Sequence, residues 1–448
     1  VDANRVSVAG ATQIGDAAVI LDVVSDYCNQ YGKTAEEAPV LVHIGYLWGI
    51  MEGGVPEHTL DQKKGNLDYY ITCLKNYRKG DAGFINCFAG LTLRDEPRGT
   101  QTEDYKYWYN YLADNYPELT LAGTLLGMNA ERHATSPDSS DSTNYNPTTT
   151  EEYIDYVESF LENGDNDGIL QVMFDNYPFL ETYSKRALSN QRITTKSMRT
   201  NYFRNLEIVA TLAKEYGVKA GAAIQSMAQK NESKYQQIEA MNWFESGSYT
   251  YFGGMDNQGY ISLLVYSALA YGYTDLAYYV YWQSYSSYAA EAIYDAPVMW
   301  ELQADGTYVG NKTTMYDYVK NVNNQIRSFQ DIFLSFSWNG TKLLTGQIAT
   351  NNIFGEASNY AGNSAANSAS AEYDAIIGCF ESGDYDGYMF VNVDHPQYAR
   401  ENEVTANFGS QYQKAVVYID GQVRIMLLNN GVLTLSLGAG EGAFVVPI

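Results

Sequence analysis

The sequence predicts an α/β fold: a TIM-type (β/α)8 barrel in which an N-terminal strand is unaccounted for, followed by an all-β sandwich. Three observations carry this. Up to about residue 330, apolar runs of strand length alternate with stretches of helical periodicity, as repeated βα units around a parallel sheet require. Beyond about residue 335 the period drops to two, and Gly, Asn and Asp turns separate short apolar pieces. Finally, 448 residues exceed the usual size of one domain, so a barrel over 1–334 and a β-sandwich over 335–448 divide the chain naturally.

Each element has its own signal. The amphipathic segment 17–31 leads into the strand 40–46, the segment 67–77 into 84–93, and 105–115 into 119–126. Further on, the helix 151–162 precedes the strand 169–174, 202–216 precedes 218–224, and 261–271 precedes 276–282. These are six strands, and only 6–9 (VSVA) offers another near the start, so one of eight is missing. Either the N-terminus is a truncated or processed edge of a longer protein or the barrel is incomplete. A helix over 314–329 closes the barrel domain. Sandwich strands are expected at 375–380, 387–393, 415–419, 423–428, 432–437 and 443–446, joined late in the chain by the hairpin signals Asp420-Gly421 and Asn429-Asn430-Gly431. Residues 357–371, rich in Ala, Ser and Asn, read as a surface loop.

Charge and composition narrow the function. A formal net charge of −25 disfavours phosphate backbones and anionic membranes, which need clustered Lys and Arg, so nucleic acid is not an expected partner. No apolar run is long enough to cross a bilayer. Four cysteines and four histidines show no zinc-type spacing, and no cofactor or metal is expected. The acidic clusters at 138–141 and 164–168 lack a full calcium loop and read as solvated turns. Forty-one tyrosines supply flat apolar faces that each carry a hydroxyl, which matches the mixed faces of a neutral sugar. The acidic, lysine-poor surface suggests a secreted or cell-surface protein whose signal peptide has been removed.

Polar residues collect at the strand ends, where barrel enzymes keep their sites. The strand 84–93 runs into Asp95-Glu96-Pro97, an acid pair followed by a residue that blocks continuation. Glu96 is the candidate general acid, with Asp95 raising its pKa by like-charge repulsion and orienting it. Asp175 closes the strand 169–174 and is the candidate second carboxylate, with Tyr177 beside it as a hydroxyl or stacking group. Gln225 ends the next strand with an amide, which can hydrogen-bond a sugar but cannot act as a nucleophile. Trp282 ends the last barrel strand and can serve as a stacking platform or as core. Tyr46 and Trp48 follow the first strand, and Asn129 opens a long loop after 119–126, adding further substrate-binding candidates. As an acidic-helix-start reading, the Asp95-Glu96 pair flanked by Arg94 and Arg98 is equally ordinary.

The ordered set Arg94-Asp95-Glu96-Pro97, Phe174-Asp175-Asn176-Tyr177-Pro178-Phe179, Ile224-Gln225-Ser226, Tyr281-Trp282-Gln283 and the closing segment 318–323 resembles the β-galactosidase-like TIM-barrel glycoside hydrolases of gut bacteria, related to clan A, which carry a C-terminal β-sandwich. The resemblance spans most of the chain. It implies an extracellular glycoside hydrolase acting on a neutral oligo- or polysaccharide, with Glu96 in the acid/base position at the fourth strand end. Asp95 stands where the family has Asn. At the seventh strand the family has a nucleophilic Glu and this chain has Gln225, which leaves Asp175 to supply the second carboxylate, with Glu245, Asp256 and Glu291 as lesser candidates. The alternative is a carbohydrate-binding barrel that has lost its nucleophile. The segment 437–445 matches the family's sandwich, which supports the barrel in this reading.

Overall fold

Six parallel βα strands and a C-terminal sandwich emerge in the structure, a computed structural model that describes residues 14–44, 59–128, 149–162, 171–284, 292–304, 308–348, 353–358, 366 and 368–448. The strand expected at 6–9 lies outside the described residues, and the barrel-type sheet has six strands among those that are described. By internal contacts the chain forms two units: residues 1–174 with 212–219, and residues 175–211 with 220–448.

In the first unit, α1 (Asp16–Tyr31) is stopped by Gly32, whose φ of 64° continues the chain in the left-handed region open to glycine. It leads to β1 (Val40–His43). The next helix, α2 (Leu60–Lys75), starts at a capping box in which Thr59 and Gln62 each satisfy the other's backbone N–H. Its buried face is Leu67, Tyr70, Ile71 and Leu74, the i, i+3, i+4, i+7 stripe of an amphipathic helix. β2 (Phe88–Asp95) follows, then α3 (Thr102–Asn115), β3 (Thr120–Leu126), α4 (Thr150–Leu161) and β4 (Gln171–Asp175), whose last residue opens the second unit. β1, β2 and β3 pair in parallel in that order. Gly90 allows the β2–β3 pairing, because a Cβ there would stand 1.9 Å from the Thr120 carbonyl oxygen.

β2 begins four residues later than the apolar run suggests. The Ile85 N–H goes to Ser25 Oγ, and Asn86 donates to the Leu74 carbonyl while its own Oδ1 takes the Phe88 N–H. Side chains therefore satisfy the backbone ahead of Phe88, and no ladder is needed there.

The second unit holds a sheet that the periodicity did not reveal: β5 (Phe179–Lys185), β6 (Arg192–Met198) and, later, β9 (Gly247–Phe252), antiparallel in the order β6-β5-β9. α5 (Tyr202–Glu215) precedes β7 (Lys219–Gln225), and the short β8 (Ala228–Lys230) and α6 (Glu232–Ala240) precede β9. α7 (Gln258–Ala270) is buried on every side from Gly259 to Ala270, as its continuous apolar sequence requires. β10 (Asp275–Tyr279) then pairs in parallel with β7, so that Tyr279 lies opposite Gln225. The chain leaves that strand at Tyr279, and Trp282 begins a different one, β11 (Trp282–Ser284). β12 (Ala292–Asp295) pairs with β8, while β13 (Val298–Leu302) and β14 (Tyr308–Lys312) complete a small sheet with β11.

α8 (Thr314–Arg327) and the one-turn α9 (Gln330–Phe333) lead to the sandwich. Its strands are β15 (Ser337–Leu344), β16 (Ser370–Ala371), β17 (Ala375–Ser382), β18 (Tyr385–Asn392), β19 (Asn402–Asn407), β20 (Lys414–Ile419), β21 (Gln422–Leu427), β22 (Val432–Leu437) and β23 (Gly442–Pro447). One sheet runs β15-β17-β18-β23-β20-β21 and the other β16-β19-β22. Ile377, Phe390, Val404, Leu435 and Val445 lie in the core between them. Asp420 and Gly421 both take positive φ, as the predicted two-residue hairpin turn demands. α7 seats its last carbonyl, Ala270, on the Thr341 hydroxyl at 2.9 Å, which ties the barrel-type helix to the sandwich within this unit.

Candidate functional site

The first group of candidate residues stands at the carboxyl end of β2. The register between β2 and β3 shifts between Thr92 and Asp95, a bulge that re-aims the side chains at the strand end. Glu96 then turns the chain with φ 48°, a left-handed conformation that a non-glycine residue adopts at a cost of roughly 1–2 kcal/mol. Two neighbours hold it there. The Glu96 N–H donates to the Thr124 carbonyl at 2.8 Å, and Tyr156 Oη donates to the Pro97 carbonyl at 2.6 Å. The same Tyr156 hydroxyl accepts the Leu126 N–H at 3.1 Å, while Tyr153 Oη donates to the Leu126 carbonyl. α4 thus clamps the ends of β2 and β3 together through two buried tyrosines.

Asp95 and Glu96 remain exposed above this clamp, while Pro97 is buried below them. The Asp95 carboxyl is nonetheless hemmed in by protein atoms, and that desolvation first, the adjacent Glu96 charge second, moves its pKa up from the ordinary carboxylate value. The like-charge coupling expected of the pair therefore acts on Asp95. At the end of β1, His43 Nδ1 and Thr92 Oγ1 share a hydrogen bond of 3.1 Å.

The second group lies in the other unit. Asp175, at the end of β4, is 8% exposed and accepts a hydrogen bond from Tyr177 Oη at 3.2 Å. The Tyr177 ring is stacked on Tyr279 with centroids 5.1 Å apart and meets Phe252 edge-on at 5.8 Å. Between them in sequence, Asn176 donates to Asn205 Oδ1 at 3.0 Å, and both amides are buried. The outcome is a carboxylate walled by aromatic rings, with its flanking turn fixed from behind.

Gln225 is fully buried, and its amide is spent on backbone. Oε1 accepts the Phe179 N–H at 2.9 Å and Nε2 donates to the Phe179 carbonyl at 3.1 Å. Both ends of the amide brace Phe179 at the start of β5, and complete burial keeps the remaining N–H and lone pair of Gln225 out of reach of a sugar in this arrangement. Trp282 is 52% exposed and leans against Trp300, centroids 5.7 Å apart, which leaves an indole pair accessible to a ligand. Tyr46, Trp48, Asn129 and Glu291 lie outside the described residues. Glu245 caps the Asn242 N–H at 2.8 Å and Asp256 pairs with Lys196 at 2.7 Å, so each already has a structural partner.

Sequence reasoning missed Tyr279, Phe252 and Trp300. Tyr279 was detectable, because it falls within the strand that the apolar run 276–282 marks; the other two sit on strands with no clear periodicity. No group of His, Cys, Asp and Glu among the described residues is arranged to hold a metal ion, and no described helix is long and apolar enough to cross a membrane.

No family model matches the sequence, and no curated protein matches it. Among solved structures the chain is similar to a glycoside hydrolase family 44 endoglucanase from Clostridium acetobutylium ATCC 824, with 14% identity over 85% of this chain and 70% of that one and a TM-score of 0.38. It is also similar to a GH30 endoxylanase from Clostridium papyrosolvens C71, with 11% identity over 86% and 85% and a TM-score of 0.34. A third is a Paenibacillus polymyxa xyloglucanase of GH family 44, with 10% identity over 96% and 83% and a TM-score of 0.34. All three of these proteins are glycoside hydrolases, and none is named a β-galactosidase.

Proposed function

We propose that this protein is a glycoside hydrolase that cleaves a neutral oligo- or polysaccharide outside the cell, with Glu96 as general acid and Asp175 as the second carboxylate. The observation that carries the reading is the exposed Asp95-Glu96 pair at the carboxyl end of a parallel strand, with Glu96 kept in a costly left-handed conformation by the Thr124 and Tyr156 contacts. A carboxylic acid there can protonate a departing glycosidic oxygen. Asp95, whose pKa is already raised, is the neighbour whose charge Glu96 meets. In this reading Asp175, which accepts the Tyr177 hydroxyl on one oxygen, acts as nucleophile or as base toward water. Tyr177, Tyr279 and the Trp282–Trp300 pair offer faces for sugar rings.

The test is release of reducing ends from a panel of neutral β-glucans, xylans and galactans, followed by proton NMR of the first product. Turnover on at least one polymer, lost in Asp175→Asn, supports the assignment. Retention of the anomeric configuration would mark Asp175 as nucleophile and inversion as base. No turnover on any polymer by a folded protein would sink it.

A second reading has its own observation. Gln225 replaces the carboxylate that the motif resemblance implies at the seventh strand, and it is locked into the backbone. A carbohydrate-binding protein without catalysis fits that locking, and it predicts saturable sugar binding with no product over long incubation.

A further inference from the structure

One face of α1 is fastened to the segment 77–87 that leads from α2 into β2, and a pair of thiols sits in that seam. Tyr77 Oη and Arg78 Nη1 donate to the Asp22 carboxylate at 3.3 and 2.9 Å. One turn on, Ser25 Oγ takes the Ile85 N–H at 2.9 Å, and Asn29 donates to the Gly83 carbonyl at 2.7 Å. Cys28 belongs to the same helix face, and its Sγ stands 3.7 Å from Cys87 Sγ.

Both thiols are enclosed, Cys28 at 0% and Cys87 at 1% exposure. Their backbones are fixed as well. The Cys28 carbonyl accepts the Lys33 N–H at 2.9 Å, at the helix end that Gly32 closes, and the Cys87 carbonyl accepts the Val40 N–H of β1 at 2.8 Å. As thiols the two gain little here. Cys28 Sγ points to the Thr34 carbonyl and Cys87 Sγ to the Ile85 carbonyl, each at 3.6 Å, long contacts for a weak donor. A disulfide is about 2.05 Å long, so side-chain rotations that close about 1.7 Å bring the sulfurs to bonding distance.

Burial first, and the Cys28 thiol second, pushes the Cys87 pKa up to about 11. At neutral pH the folded, reduced protein therefore holds almost no Cys87 thiolate to attack an outside disulfide, which separates this pair from a reactive dithiol. The bond has to form while the chain folds, before the seam closes. We propose that Cys28 and Cys87 join in a structural disulfide during folding, with an external small-molecule disulfide as the oxidant. One cysteine thiolate attacks that disulfide and releases one thiol; the second cysteine then attacks the mixed disulfide and releases another. Two thiol protons and two electrons leave the protein, and one external disulfide becomes two thiols. The inference rests on the proposed extracellular placement for its oxidant and not on catalysis. The bond spans 59 residues of chain, a loop long enough to restrict the unfolded state strongly.

The test refolds the full chain from a reduced, denatured state, once in mixed reduced and oxidised glutathione and once in dithiothreitol. Alkylation in denaturant then counts free thiols by intact mass, and tryptic mapping locates any bond. Oxidative refolding should leave Cys73 and Cys379 alkylated and join tryptic peptide 6–33 to peptide 80–94. Dithiothreitol should leave all four cysteines alkylated. The unit that holds the bond should melt roughly 4–16 °C higher in the oxidised form, and the double change Cys28→Ala with Cys87→Ala should erase that difference. Three results would overturn the proposal: four alkylated cysteines after oxidative refolding, a bond joining other cysteines, or a cross-linked protein that melts no higher than the reduced one. The thiol count is made on the unaltered chain, so it decides the matter even where the variant does not fold. Four thiols in a protein that cleaves a polymer sink this inference alone, and a bonded protein that cleaves nothing sinks only the hydrolase reading.

Discussion

The end of β2 and the end of β7 solve opposite problems with similar polar side chains. At β2, Glu96 keeps its side chain exposed while the backbone beneath is strapped down by Thr124 and Tyr156. At β7, Gln225 turns its amide inward and uses both ends to complete the backbone of Phe179. The first arrangement constrains the main chain and leaves the functional group available. In the second the functional group is itself the constraint. A polar residue at a strand end is therefore a site candidate only when something else satisfies its backbone surroundings.

The largest expected break in this contrast is Glu96→Gln. Loss of general-acid catalysis should lower kcat by about 10²–10⁴-fold on whichever polymer is cleaved, while stability stays within about 0.5 kcal/mol, since the side chain is exposed. Steady-state kinetics beside a urea melt checks both halves.

Gln225→Leu should behave in the opposite way. The buried Phe179 N–H loses its partner while the Phe179 carbonyl keeps the Gly253 N–H, and the protein should lose roughly 1–3 kcal/mol of stability, read from the urea midpoint.

His395 extends the same contrast to acid. Its pKa is about 4 in the folded protein against an ordinary 6.5, so the unfolded chain takes up a proton first as pH falls. Stability should then drop by roughly 3 kcal/mol between pH 6.5 and pH 4 from this group alone, and be unaffected above pH 6.5. Asp374 and Glu441, whose burial raises their carboxyl pKa values, act in the opposing direction, because their stabilising effect is strongest in acid and fades as pH rises. The difference between the unaltered protein and His395→Gln across that window isolates the histidine.

Tyr156→Phe should cost about 1–2 kcal/mol, since the Pro97 carbonyl and the Leu126 N–H both lose their buried partner, and turnover should fall with it as the Glu96 turn loosens. The smallest effect is a gain. Glu96→Gly removes the left-handed penalty and should stabilise the fold by about 1 kcal/mol while abolishing activity, which a thermal melt and an assay can read together.

Much of this architecture was legible because burial is periodic. The helix stripe Leu67, Tyr70, Ile71, Leu74 and the strands of the 375–446 region follow directly from apolar spacing, and the structure places them within a few residues of expectation. β6 was not legible, because Arg-Ile-Thr-Thr-Lys-Ser-Met packs little of itself into a core and so carries no alternation. β15 and β19 were missed as well; the run of Asn, Gly and Thr in one and of alternating small and polar residues in the other hides the pattern. Among the candidate residues, Asp95, Glu96 and Asp175 stand out in the sequence by their position at strand ends. The inward turn of Gln225 does not, since it depends on where the Phe179 backbone passes.

The central claim is that the exposed Glu96 at β2 performs chemistry whereas the buried amide at β7 performs structure. Turnover per folded molecule, measured side by side for Glu96→Gln and Gln225→Leu on the same polymer, tests it most directly. The expected result is a stable but inactive Glu96→Gln and a destabilised Gln225→Leu that keeps its turnover per folded molecule. A Glu96→Gln variant that hydrolyses at the unaltered rate, or a folded Gln225→Leu with none, would contradict it.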